Sequence, residues 1–126
     1  NVGTGSLAGM RFLHKLKKNL NKEIEIWPFE KKRGHSVAVE IFPRRYFKQS
    51  GTNPQNWQDK EILNNALKYF DSKPIPQDWV PKREDEPDAL LSAAALRSLA
   101  SNPAMWSAPD DYSSEVKLEG WIFGVT

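Results

Sequence analysis

Ser36-Val-Ala-Val-Glu-Ile-Phe-Pro43 has the composition of a buried β-strand, because it is rich in β-branched residues and ends at a proline that cannot continue a sheet ladder. Side chains alternate across a strand, so Glu40 shares one face with Ala38 and Phe42. A carboxylate among apolar groups is costly to desolvate unless a partner compensates for it. The sequence is compatible with three roles for Glu40: it pairs with an arginine, it binds a metal ion, or it belongs to a functional site at the sheet edge.

Two segments flank this predicted strand. Upstream, residues 24–29 alternate apolar and polar side chains, so 24–29 and 36–43 are predicted to form a hairpin or to be neighbouring strands. Downstream, Arg44, Arg45 and Lys48 form a cluster of positive charge that is interleaved with aromatic residues. Such a cluster is either a solvated surface whose long side chains cover apolar groups or a rim that contacts phosphate. The surface interpretation is slightly favoured.

The amino-acid composition restricts the classes of protein to which this chain can belong. The 126 residues suit one domain with a core of ordinary size, so 1–126 is predicted to be a single domain. The sequence has no cysteine, which removes zinc-thiolate sites and cysteine nucleophiles and fits a reducing compartment, so a cytoplasmic location is predicted. The net charge of +2 is too small to indicate nucleic-acid binding by itself. No apolar run approaches the ~18 residues that span a bilayer, so no membrane partner is expected.

Helical spacing of apolar residues predicts three helices, within residues 7–20, 62–70 and 84–100. Ser6 is the candidate N-cap of the first helix, and Pro87 belongs to the first turn of the third. The alanines of the third helix would permit close approach to a sheet. Prolines predict an extended linker over 71–83, and 117–125 is predicted to be a short strand or a packed tail.

The third helix begins with acids that matter for function. Asp85 and Asp88 lie one turn apart on one face, where they complement the helix dipole and where Asp85 is a natural N-cap. Asp88 is further inside the helix than a cap requires, and Glu40 is a second acid without an explanation. Carboxylates from a strand and a helix start are the ligands that Mg²⁺ or Mn²⁺ prefers, and two such ions activate water on a phosphodiester.

Five short motifs, in this order and spacing, resemble the C-terminal half of the domain-of-unknown-function 429 family, whose members are predicted RNase H-like nucleases: Val2-Gly-Thr-Gly-Ser-Leu-Ala-Gly-Met-Arg-Phe-Leu13, Ile26-Trp-Pro-Phe29, Val39-Glu-Ile-Phe-Pro43, Asp88-Ala-Leu-Leu-Ser-Ala-Ala94 and Glu119-Gly-Trp-Ile122. The resemblance implies an α/β fold, namely the C-terminal part of a three-layer αβα sandwich with a mixed sheet. It also implies that Glu40 and Asp88 are catalytic metal ligands and that Asp85 is an additional helix acid. The leading aspartate of such folds comes from a first strand, which this chain is not expected to contain.

Two functional hypotheses follow. The first is a metal-dependent nuclease or phosphodiester hydrolase, with Glu40 and Asp88 binding Mg²⁺ or Mn²⁺ and with Arg44, Arg45 and Lys48 contacting phosphate. The second is a non-catalytic module that binds nucleic acid or a protein partner. A domain without its leading strands is also expected to expose a sheet edge and to self-associate through it.

Overall fold

A computed structural model describes residues 2–20, 23–31, 34, 36–107 and 113–125, with side chains from residue 5 in the first range and from residue 114 in the last. Among these residues the chain is mostly helical, with five α-helices, two short strands and two 3₁₀ turns. The α-helices are α1 (Val2–Asn19), α2 (Pro43–Gln49), α3 (Lys60–Tyr69), α4 (Asp85–Leu99) and α5 (Ser113–Glu119). The strands are β1 (Ile24–Ile26) and β2 (Ser36–Ala38), and the 3₁₀ turns are Pro54–Asn56 and Pro103–Trp106.

The main core lies among α2, α3 and α4. One apolar stripe of α3, which the spacing predicted, is buried, with Leu63 and Leu67 at its centre. It packs with Phe47 of α2 and with Ala94 and Ala95 of α4 in one cluster of buried residues. The alanines of α4 therefore permit close approach, as predicted, but they approach other helices rather than a sheet.

The predicted three-layer αβα sandwich with a mixed sheet is wrong. The described residues form only a two-stranded parallel sheet, in which Ile24 pairs with Ser36 and Ile26 pairs with Ala38. The strands are neighbours, but each is three residues long. The apolar pattern of 36–43 predicted a strand that is too long, because Pro43 does not mark the end of a strand. It occupies the first turn of α2, where its missing N–H costs nothing.

The prediction of a helix in residues 7–20 is confirmed, but its start is wrong, because α1 begins at Val2 rather than after Ser6. Its predicted apolar stripe is largely exposed, including Leu7 at 50% and Met10 at 60%. Lys17 attaches α1 to the strand region, since its Nζ donates to the backbone oxygen of Ile24 at 2.6 Å and to the Glu30 carboxylate. In the described part of the chain, no helix is both long and apolar enough to cross a membrane.

The predicted strand or tail over 117–125 begins too early, because 117–119 belong to α5, whereas 120–125 form a packed tail. Phe123 is fully buried, and its backbone oxygen accepts a hydrogen bond from Tyr46 Oη at 2.9 Å. The rings of Trp27 and Trp106 lie 5.3 Å and 4.7 Å from the Phe123 ring, centroid to centroid. Phe123 thus joins the sheet region to the helical core through aromatic contacts and one buried hydrogen bond.

Candidate functional site

Arg44 and Lys48 lie four positions apart on α2, so they share one face of the helix. The opposite side of α2 carries Tyr46 and Phe47, which are both fully buried in the core. Arg45 lies beside Arg44 and is also exposed. The buried aromatic pair therefore fixes the orientation of α2 and directs its cations outward.

Packing of α2 against α4 brings two of these predicted residues, Arg44 and Asp88, together. Arg44 Nη2 lies 3.5 Å from Glu84 Oε1, at the start of α4, with both side chains more than half exposed. Asp88 is half-buried, and its pKa is raised by burial first and then by the negative charge of Glu84. Arg44 lowers the pKa of Asp88, and Asp85 raises it further. The predicted acidic turn and the predicted cation cluster are thus one region of the surface.

A pocket of about 280 Å³ opens on this face. Arg44, Lys48 and Glu84 line it together with Asn53 and Gln55 from the adjoining 3₁₀ turn. The turn is held in place because Asn53 Oδ1 accepts a hydrogen bond from the Gln55 backbone N–H at 3.0 Å. Side-chain amides and two cations around one opening are groups that hydrogen-bond to phosphate oxygens.

Glu40 lies in different surroundings, and the prediction of a buried strand acid is wrong for it. The residue is exposed and follows the end of β2. Its backbone forms an isolated parallel bridge to Ile122, with its oxygen accepting from the Phe123 N–H at 2.9 Å. The bridge holds the Glu40 backbone in place although the carboxylate of this residue is exposed.

The acids that accompany Glu40 come from α5 rather than from α4. Glu40, Glu115 and Glu119 line a pocket of about 290 Å³ whose apolar wall includes Trp121 and Ile122. The pKa of Glu115 is lowered, mainly by a hydrogen bond from Ser114 Oγ at 2.6 Å. The sequence offered one signal for this group, the i, i+4 spacing of Glu115 and Glu119 on a helix. That signal was missed because 117–125 was predicted as strand or tail.

Among the residues that the structure describes, the charged residue with the lowest exposure is one that was not predicted to have a functional role. Glu25, in β1, is 5% exposed, although it is a polar residue in the alternating segment 24–29. In a sheet of two short strands, the alternation rule does not decide which side faces solvent, because both sides meet other parts of the chain.

The two predicted metal ligands have different neighbours. Glu40 and Asp88 belong to separate surroundings, one beside α5 and the other beside Arg44 and Glu84. Within the described ranges, no three Asp, Glu or His side chains lie close enough to hold a metal ion together. Binding of Mg²⁺ or Mn²⁺ stays a prediction, and no catalytic step is derived through it.

Comparison of the chain with protein-family models, with curated proteins and with solved structures finds no match. The resemblance to the domain-of-unknown-function 429 family therefore rests on the five short motifs alone and stays a prediction. Function has to be argued from the site itself.

Proposed function

We propose that this chain is a non-catalytic module that binds nucleic acid through the α2 face, with Arg44 and Lys48 contacting backbone phosphate. The observation that carries the proposal is that both cations line one pocket with the amide side chains of Asn53 and Gln55. Guanidinium forks and lysine ammonium groups are the usual phosphate contacts in nucleic-acid interfaces. Amide side chains add hydrogen bonds that fix the register of the backbone.

Glu84 would tune this site rather than block it. Its ion pair with Arg44 is long, at 3.5 Å, and exposed on both sides. Exposed pairs of this kind contribute about 0–1 kcal/mol, so a phosphate that approaches Arg44 displaces Glu84 at small cost. Arg45 is exposed on the same helix, and we propose that it contacts a neighbouring phosphate of the same strand.

The test is fluorescence anisotropy of labelled single-stranded and double-stranded oligonucleotides over a series of salt concentrations. Arg44→Gln and Lys48→Gln should each weaken binding and reduce the salt slope by about one, since each variant removes one phosphate contact. Lys68→Gln on α3 is the matched control, because Lys68 is an exposed helix lysine that does not line the pocket. Equal effects of Lys68→Gln and Lys48→Gln, or no binding by the wild type at low salt, would refute the proposal.

A divalent-metal-dependent phosphodiester hydrolase is the second candidate. It is favoured by Asp88, whose pKa is raised in part by two neighbouring carboxylates, because a bound cation would offset that repulsion. Calorimetric titration with Mg²⁺ and Mn²⁺ should give heat of binding that Asp88→Asn abolishes. Glu40→Gln serves as the comparison: loss of binding in both variants supports the originally predicted pair, whereas no heat in the wild type ends this candidate.

Self-association through the edge of the β1–β2 sheet is a separate proposal. On the β1 edge, the Ile24 oxygen already accepts from Lys17 Nζ and the Ile26 N–H donates to the Glu30 carboxylate, so the β2 edge is the one proposed to pair with a second copy. Because each strand is only three residues long, we expect weak association that depends on concentration. Sedimentation of the wild type as a single monomeric species up to the highest soluble concentration would contradict it. We also propose a cytoplasmic location, supported by a sequence that has no cysteine.

A further inference from the structure

An apolar groove lies between α4 and the irregular segment that follows α3, and it shares no lining residue with the pocket at α2. It has a volume of about 630 Å³, within the range of pockets that hold small organic ligands. Leu67 and Ile75 are its buried lining residues, and Trp79, Ala89 and Leu90 are its more exposed ones. A site of this kind offers contact to an apolar ligand from three sequence segments at once.

Polar anchors hold the segment that forms one wall of the groove. The backbone N–H of Ile75 donates to Asn64 Oδ1 of α3 at 2.9 Å. Lys60 Nζ, also on α3, donates to the backbone oxygen of Pro76 at 3.3 Å and to that of Gln77. Arg97 of α4 donates to the backbone oxygen of Phe70 at 3.1 Å. Because these bonds fix the wall before any ligand arrives, binding does not carry the cost of ordering it.

Two charged residues that line the groove, Glu86 and Lys73, offer different contacts to a ligand. Glu86 Oε2 already accepts hydrogen bonds from the backbone N–H groups of Lys82 at 2.7 Å and of Arg83 at 3.4 Å. Lys73, by contrast, lines the groove and is exposed. A ligand that covers the apolar wall therefore meets an ammonium group at the rim, and an anionic end complements it, while the Glu86 carboxylate is held by two backbone N–H donors.

We infer that this groove binds a small amphiphilic anion, with an aromatic body against Trp79 and Leu90 and a carboxylate beside Lys73. An aromatic body suits the site because a flat ring stacks on or against the edge of the indole of Trp79. This inference is independent of the proposed nucleic-acid site, whose residues lie on α2 and the 3₁₀ turn.

The test uses 2-naphthoate as the anionic probe and 2-naphthalenemethanol as its neutral counterpart, titrated into the full chain by calorimetry. Leu90→Asp should abolish binding of both probes, because it places a charge on the apolar wall. Lys73→Gln should weaken 2-naphthoate about two- to fivefold, the range for one exposed ion pair, and leave 2-naphthalenemethanol unchanged. Lys68→Gln, an exposed lysine outside the groove, should change neither.

Ala89→Gln gives a second way to obstruct the groove, and since Ala89 is exposed on α4 this variant is expected to keep the helical fold. Circular dichroism checks that both variants are folded. The inference is overturned if the wild type binds neither probe, or if Leu90→Asp and Ala89→Gln both bind as the wild type does. It is also overturned if Lys73→Gln weakens the neutral probe as much as the anionic one, because the rim charge then has no role.

Discussion

Replacing Tyr46 by phenylalanine tests whether the C-terminal tail is fastened to the helical core. The Tyr46 side chain is fully buried, and its hydroxyl donates to the backbone oxygen of Phe123 at 2.9 Å. The variant keeps the ring and its packing but removes the donor, leaving a buried carbonyl without this partner. Loss of such a bond costs about 1–3 kcal/mol of unfolding free energy, because the carbonyl has given up water to make it.

The measurement is urea denaturation followed by tryptophan fluorescence and by circular dichroism. With a urea m-value of about 1–3 kcal/mol per molar, the expected loss lowers the transition midpoint by about 1 M at constant m. Tyr69→Phe is the matched control, because Tyr69 is 55% exposed at the end of α3 and should change the midpoint little. Equal midpoints for Tyr46→Phe and the wild type would refute the fastening role.

The same variant carries a prediction about pH. Burial raises the pKa of Tyr46 from its ordinary value of 10.0 to about 12. The folded state therefore holds the phenolic proton more tightly than the unfolded state does, and this contribution is complete below about pH 10. Between about pH 10 and 12 the wild type should lose about 1.4 kcal/mol per pH unit from this group, a loss that Tyr46→Phe lacks. A constant stability difference between the two proteins across that interval would contradict the burial argument.

Three further predictions concern stability. Gly124 has a φ of 83°, and an added Cβ would meet Leu99 Cδ1 at 2.5 Å. Gly124→Ala should therefore lower the free energy of unfolding in urea by about 1–2 kcal/mol. Gly51→Ala should lower it less, because the φ there is 75° but nothing lies within 4 Å. Ser92 is 2% exposed and its Oγ has no hydrogen-bond partner among the described residues, so Ser92→Ala should raise the unfolding free energy by about 1 kcal/mol; a decrease would mean that the hydroxyl has a partner in solution. Because the pKa of Asp88 is raised, the wild type loses stability as pH rises through that pKa. Asp88→Asn should therefore raise the free energy of unfolding at neutral pH and not in acid. An equal rise in acid would contradict the raised pKa.

Three helices, α1, α3 and α4, were predicted from the sequence because a local rule decides the structure there, whereas α2 and α5 were not predicted. The α3 stripe has one apolar face and a capping aspartate, Asp59, whose carboxylate accepts from the N–H groups of Glu61 and Ile62, and α4 has alanine-rich composition with Pro87 in its first turn. The sheet was not predictable in this way. The stretch 36–43 satisfies strand propensity over its whole length, yet β2 ends at Ala38, since strand extent depends on pairing with distant residues such as Ile122.

The same difference between helices and strands applies to the residues predicted for the candidate site. Asp85 and Asp88 were selected from their spacing in a predicted helix, whereas Arg44 and Lys48 were selected as a cluster of charge after the predicted strand. The α2–α4 contact brings Arg44 close enough to Asp88 to lower the pKa of that carboxyl. Glu40 was selected from an assumed burial in a strand, and it lies instead beside Glu115 and Glu119. A helical register predicts which residues share a face, whereas it does not predict which segment returns to cover a strand end.

The distribution of charge argues for binding ahead of catalysis at the α2 face. A hydrolytic site built from carboxylates needs several of them to converge on one point, because a single acid neither holds a hard cation nor divides acid and base roles. Here Glu84 and Asp85 lie near Asp88 at the start of α4, but Arg44 opposes Asp88, and two other acids, Glu115 and Glu119, lie on α5. Arg44 and Lys48, in contrast, already share one pocket with hydrogen-bonding amides. Recognition of phosphate needs only that second arrangement, and for this reason we place the proposed binding function ahead of the proposed hydrolysis.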